Sequence, residues 1–209
     1  MQTITLPEFC LTLLPPWMQC TAVEHPNAKR LENRGLGVAH RLVNWRGVVG
    51  LSQSKGFSSQ YGEDDAIEDA IEAEQHNGLP YMRLGRAREW KPTAGKLWLA
   101  AELLDVLSPE QAEGRAWHVP GQWGLIWGRI WLLEPIACAG AMGAWRPRWC
   151  SKCLHIYADA AQVPQACRSC GAVFPENFLD DEKLFFLNAA GREVDRPALR
   201  VVRELKGTP

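Results

Sequence analysis

Apolar positions fall in short runs along this chain, and their spacing predicts the elements. Leu11–Leu14 is an apolar run that ends at Pro15-Pro16, and Trp17 to Glu24 follows. Proline suits a helix start and Pro26 cannot continue one, which predicts a helix over 16–24, then a turn, then a strand over 30–34. Gly47-Val48-Val49-Gly50-Leu51 is short, β-branched and bounded by turn residues, as in a buried strand. The clearest helix covers 63–76, with Ile67, Ala70 and Ile71 on one face and acids in its first turn. Asn77-Gly78 stops it, reinforced by Pro80. Residues 81–95 are basic and irregular. The periodicity of 96–107 fits helix or strand. Residues 123–133 are aromatic and β-branched, which predicts a strand that Pro135 ends. Val201, Val202 and Leu205 fit a short strand or a helix. Together these elements predict a small α+β barrel.

Composition narrows the picture. The 209 residues suit one modest domain plus a small one, and 46 % hydrophobic content supports a real core. A net charge of −1 gives no global attraction to nucleic acid. Local charge is more telling. Six Lys or Arg and one acid, Glu32, lie between Lys29 and Lys55, while seven acids and no base lie between Glu63 and Glu74. A basic segment can contact phosphate in a neutral protein, although a solvated surface has the same composition. No apolar run reaches bilayer length and no signal pattern opens the chain, so a soluble, cytoplasmic protein is expected. Ten tryptophans run from Trp17 to Trp149 and none follows. Most belong in a core, and one or two could stack on a base.

Four of the seven cysteines form Cys150-x-x-Cys153 and Cys167-x-x-Cys170, thirteen residues apart. Each knuckle lets two thiolates reach one ion, so the spacing predicts a closed, structural zinc site. Cys10, Cys20 and Cys138 are expected to be small buried apolar groups. The tryptophans stop and the cysteine pairs begin near Arg146-Pro147-Arg148. That predicts a first domain over 1–147 and a second segment over 148–209, with a zinc ribbon at about 148–175 and a packing tail.

The remaining signal is Lys29-x-x-Glu32-x-Arg34, with Leu11–Trp17 before it and Arg46-Gly47 after it. Downstream come Ser52-Gln53-Ser54-Lys55-Gly56, a late Asp105 and Cys138-Ala139-Gly140-Ala141-Met142-Gly143-Ala144-Trp145. In this order the segments resemble the ASCH family of small PUA-like barrels, across most of residues 10–147. The resemblance implies a PUA-like barrel with flanking helices, makes 96–107 a strand, and places Lys29, Glu32 and Arg34 around one cleft that handles nucleic acid or modified nucleosides. Asn27 stands where the family usually has Gly, and Asn also tolerates a left-handed turn. Pro15 stands where a Gln often precedes Pro-Trp.

The chemistry suits base recognition. A flipped or single-stranded base is held by stacking and by its polar edges. Glu32 can accept an exocyclic amino group, and Lys29 or Arg34 can meet a carbonyl or phosphate oxygen. Lys55, Ser54 and Arg46 are candidate nucleic-acid contacts, and Trp17 and Trp45 candidate stacking partners. An ion pair between Glu32 and Arg34, which share a strand face, is the competing structural explanation. The expected function is binding of single-stranded RNA or DNA, or of a modified base. One alternative is a small hydrolase with Glu32 as base and Lys29 as electrostatic stabiliser. Some family members resemble amidohydrolases that remove an acyl group from cytidine N4, but they carry Thr where this chain has Glu32. A second alternative is a protein-interaction adaptor that docks through the ribbon and the acidic helix. The compact architecture resembles stand-alone bacterial or phage-encoded members.

Overall fold

The computed structural model describes residues 2–55, 63–84, 89, 91–150, 152–158, 165–174 and 196–205. Gly56, Trp90 and the apolar Leu184–Leu187 run lie outside them. The described residues form an α+β fold dominated by strands. In chain order these are β1 (Thr3–Thr5), β2 (Phe9–Leu13), α1 (Trp17–Ala22), β3 (Leu31–Arg34), α2 (Leu36–Leu42), β4 (Gly47–Gln53) and α3 (Glu63–Asn77). Then come β5 (Lys96–Leu107), α4 (Pro109–Ala112), β6 (Trp123–Ala139), β7 (Ala144–Trp145), β8 (Pro147–Trp149), β9 (Ile156–Ala158) and β10 (Ala198–Leu205).

The main sheet runs β1-β10-β6-β5-β4-β2-β7. Its pairs are antiparallel except β2–β4. Among the described residues no ladder joins β1 to β7, so the sheet is open where the sequence predicts a barrel. Strand β6 is its spine. One edge pairs with β5; the other meets β3, β10 and β9 in succession. Pro135 does not end β6, which continues to Ala139. The proline falls beside a register shift between Leu97 and Leu99 of β5, past the β10 pairing and before that of β9. A missing N–H is tolerated at such an interruption.

Helix α3 also differs from expectation. Its buried face is Ala66, Ala70 and Ala73, whereas Ile71 is exposed. Alanines at i, i+4 and i+7 let the helix lie close to Cys20, Leu31 and Leu107 in one apolar cluster. A larger cluster joins Leu11, Leu13, Met18, Leu42, Leu51, Leu99, Leu103, Trp127 and Leu205. Trp117, Trp127, Trp131 and Trp145 are all buried. At Gly50 on β4 side chains from β2 and β5 fill the space of a side chain: a Cβ there would stand 2.6 Å from Cys10 Sγ and 2.8 Å from Leu97. Cys10, Cys20 and Cys138 are buried too. Burial pushes the Cys20 and Cys138 thiols up to about 12, and raises Cys10 as well, so they are packing atoms rather than nucleophiles.

The expected boundary after residue 147 falls inside β8, which pairs with β9, just past β7 of the main sheet. The chain then returns, because β10 sits between β1 and β6. Residues 198–205 therefore complete the sheet of the first segment.

Candidate functional site

Strand β3 fixes the charged motif. Its residues pair antiparallel with the start of β6, Glu32 opposite Leu125 and Arg34 opposite Trp123. Lys29 precedes the strand and its amide donates to Cys20 O at the end of α1, 2.9 Å away. Lys29 and Glu32 are 3 % and 6 % exposed, which makes this a buried ion pair rather than a surface one. Lys29 Nζ donates to Glu32 Oε2, and Arg34 Nη2 forms an ion pair with Glu32 Oε1 at 3.0 Å. Arg34 also donates to Thr12 O on β2 at 3.1 Å. Burial alone would raise the Glu32 carboxyl; the Lys29 ammonium and the Arg34 guanidinium outweigh it and hold it below the ordinary range. The shared strand face thus gives the Glu32–Arg34 partnership that the spacing allows, and Lys29 completes it.

The cluster stands at the wall of a cavity of about 800 Å³ lined by Trp17, Lys29, Glu32, Asn33, His76, Asn77 and residues 114–120. Arg34 does not line it. The lid of this cavity, the segment after α4, carries no motif visible in the sequence. Its centre is Trp117, buried at φ 67°, a region that bulky residues seldom adopt. Three asparagines hold it there. Asn77 Oδ1 accepts from Trp117 N at 3.0 Å, Asn33 Nδ2 donates to Trp117 O at 2.7 Å, and Asn27 O accepts from Trp117 Nε1 at 3.1 Å. Asn33 Oδ1 also accepts from Val119 N at 2.9 Å. Asn77 and Asn27 thus do more than stop a helix and tolerate a turn. Replacing Asn33 with alanine removes two bonds to this segment. We expect a loss of about 1–3 kcal/mol in urea unfolding and faster proteolysis within 113–122. Unchanged stability and cleavage would refute the clamp.

The other sequence candidates lie elsewhere. Trp45 packs edge-on against Phe9, ring centroids 5.3 Å apart, and Arg46 pairs with Asp105 at 2.5 Å. Neither lines the cavity. Ser54 continues β4, its amide donating to Leu13 O at 3.0 Å. Lys55 lies against Gly95 and faces the cysteine segment: His155 is shifted down, first by burial and then by the charges of Lys55 and Arg168.

That segment brings Cys150, Cys153, Cys167 and Cys170 together, with ligand atoms within 4.8 Å of one another. The Cys150–Cys170 and Cys153–Cys167 sulfurs are each 3.6 Å apart. A tetrahedron with metal–sulfur bonds of about 2.3 Å has edges of about 3.8 Å, so four thiolates here fit one ion such as zinc. The two knuckles share one backbone pattern. Leu154 N and Gly171 N donate to Cys150 O and Cys167 O at 2.8 Å, while Cys150 N and Cys167 N donate to His155 O and Ala172 O at 3.0 and 2.7 Å. Leu154 and Gly171 both have positive φ. Tyr157, fully buried beneath, donates from its hydroxyl to Cys167 Sγ at 3.4 Å and accepts from Arg168 N at 2.9 Å.

Fold and site together define a strand-rich α+β protein with a buried Lys–Glu–Arg cluster beside a ligand-sized cavity and a four-cysteine centre able to hold a metal. No protein-family model matches the chain, and no curated protein matches it. Among the described residues, no helix is long and apolar enough to cross a membrane.

Proposed function

We propose that this protein is an ASCH-like, PUA-like reader of single-stranded nucleic acid or a modified base, with one structural zinc ion in its cysteine centre. The observation that carries the reading is the buried Lys29–Glu32–Arg34 cluster at the wall of the 800 Å³ cavity. Such a cluster is a weak source of stability, because desolvating three charges offsets most of their attraction. A pocket of this size, with a few converging polar groups, suits a base and its sugar. Glu32 keeps lone pairs beyond the two that Lys29 and Arg34 take, and these can accept an exocyclic amino group. Trp17, in the same lining, offers a stacking face. The depressed Glu32 carboxyl weakens the hydrolase alternative, since a general base works best with a pKa near the operating pH.

The test is mass spectrometry of ribonucleosides, modified nucleosides and short RNA and DNA single strands after incubation with the zinc-loaded protein. Both retained and altered species are recorded. The expected result is retention without reaction, weakened roughly tenfold or more by Trp17→Ala, the scale of one lost stacking contact. A product that disappears in Glu32→Gln, while that variant keeps its folded circular-dichroism signal, would make the protein a hydrolase. Absence of both a retained species and a product would overturn both.

A further inference from the structure

A second cavity of about 510 Å³ adjoins the first, and Asn77, Arg115, Ala116 and Trp117 line both. Its chemistry is different. It is lined by two arginines, Arg30 and Arg115, and by no carboxylate. Arg30 Nη1 is engaged, donating to Thr21 O at 3.1 Å and to Lys29 O at 3.2 Å. Arg30 Nη2, however, is buried with no partner, and so is Trp127 Nε1 on the same lining. Buried donors are almost always satisfied, so two orphans beside one cavity point to an acceptor that enters from outside. Water can accept from an indole, but it cannot balance two guanidinium charges. An anion with several oxygens does both.

We infer that this second cavity is a phosphate subsite for a nucleotide whose base occupies the first. The inference rests on the base-binding reading of the first cavity. Trp117, held between the two by the three asparagines, separates base from phosphate. Arg30 Nη2 and Trp127 Nε1 are the unpartnered donors of this lining, and the exposed Arg115 adds a second positive charge. The ligand class is therefore a nucleotide or a strand end, not a free nucleoside. The attraction is mainly charge-based and weakens with added salt.

The experiment uses the full chain, ¹⁵N-labelled and zinc-loaded. Inorganic phosphate is titrated first, then the four ribonucleosides and their 3′- and 5′-monophosphates. The readout is the Trp127 indole N–H resonance, together with the dissociation constant for each probe. Phosphate and at least one monophosphate are expected to move that resonance. That monophosphate should bind roughly tenfold or more tighter than its nucleoside, the size of a charge-assisted contact. Arg115→Gln, an exposed change that leaves the Lys29–Glu32–Arg34 ion pairs intact, should erase most of the difference. The better of the 3′- and 5′-series tells on which side of the base the phosphate lies. An indole resonance unmoved by phosphate and by every monophosphate overturns the subsite; if nucleosides still bind, the base pocket survives alone. A resonance moved by phosphate with no nucleoside bound supports the anion site and overturns the base pocket.

Discussion

Glu32→Gln is expected to cost about 3–5 kcal/mol of folding stability, because it leaves the ammonium of Lys29 buried without its counter-charge. Lys29 is 3 % exposed, so little water is at hand to replace the lost carboxylate. Lys29→Met should cost less, since Arg34 still meets Glu32 at 3.0 Å. The double variant, with both charges of the pair removed, should recover about 1–3 kcal/mol relative to the sum of the singles, as residues in one charge network do. Urea unfolding of the four proteins closes the cycle, and additive losses would show that the pair is not coupled. The same pair has a pH signature. Glu32 is depressed in the folded state, so its contribution is fully present above the unfolded carboxyl value of about 4.3 and is lost as pH falls through the lower folded value. Stability of the wild type should therefore fall more steeply below pH 4.3 than that of Glu32→Gln. Parallel profiles would mean that Glu32 titrates alike in both states.

Stripping metal from the cysteine centre, or changing Cys167 to serine, is expected to unfold the segment around it. Zinc in such sites contributes folding free energy on the order of 10 kcal/mol, since no preformed site exists in the unfolded chain. The local core there is small: Cys150, Tyr157 and Cys167 are its buried members. Protease cleavage between 150 and 174 after chelation, together with one zinc per chain before it, is the expected result. Because β9 pairs with β6 at Cys138 and Ala139, the damage should also reach that end of the spine strand. A chelated protein that keeps its protease resistance and circular dichroism would remove metal from the account.

The sequence made some of this legible, for reasons that lie in particular residues. The cysteine spacing is local and chemically restrictive, so four sulfurs that meet in space are already paired on paper. Strand β4 was visible as a short β-branched run, and the first part of β6 as a run of aromatic and aliphatic residues. Helix α2 was not, because Leu36–Leu42 is seven residues long and contains Gly37, too short for a periodic signal. Helix α4 was overlooked although Ser108-Pro109-Glu110-Gln111 writes its capping box, with Ser108 accepting from Gln111 N. The Lys29–Glu32–Arg34 cluster could be read from three neighbouring positions. The Trp117 segment could not, because its partners Asn27, Asn33 and Asn77 come from distant parts of the chain and asparagine carries no periodicity. The separation of Trp45 and Arg46 from the cavity is likewise tertiary: each is occupied by a partner, Phe9 or Asp105, that only the fold brings near.

The three-way sharing of one edge of β6 sets the order in which the molecule can be made. During synthesis β6 appears with β5 and β3 already available, but the middle of its second edge waits for β10, which is made well after it. Until those last strand residues arrive, Ile130 to Leu133 present unpaired amides and carbonyls beside apolar side chains, a template for another chain. Pairing β1 with β10 sets Thr3 opposite Arg200, the kind of long-range closure that slows folding. The nascent chain is thus most exposed to aggregation in the interval between the making of β6 and the making of β10, and chaperone demand should be concentrated there.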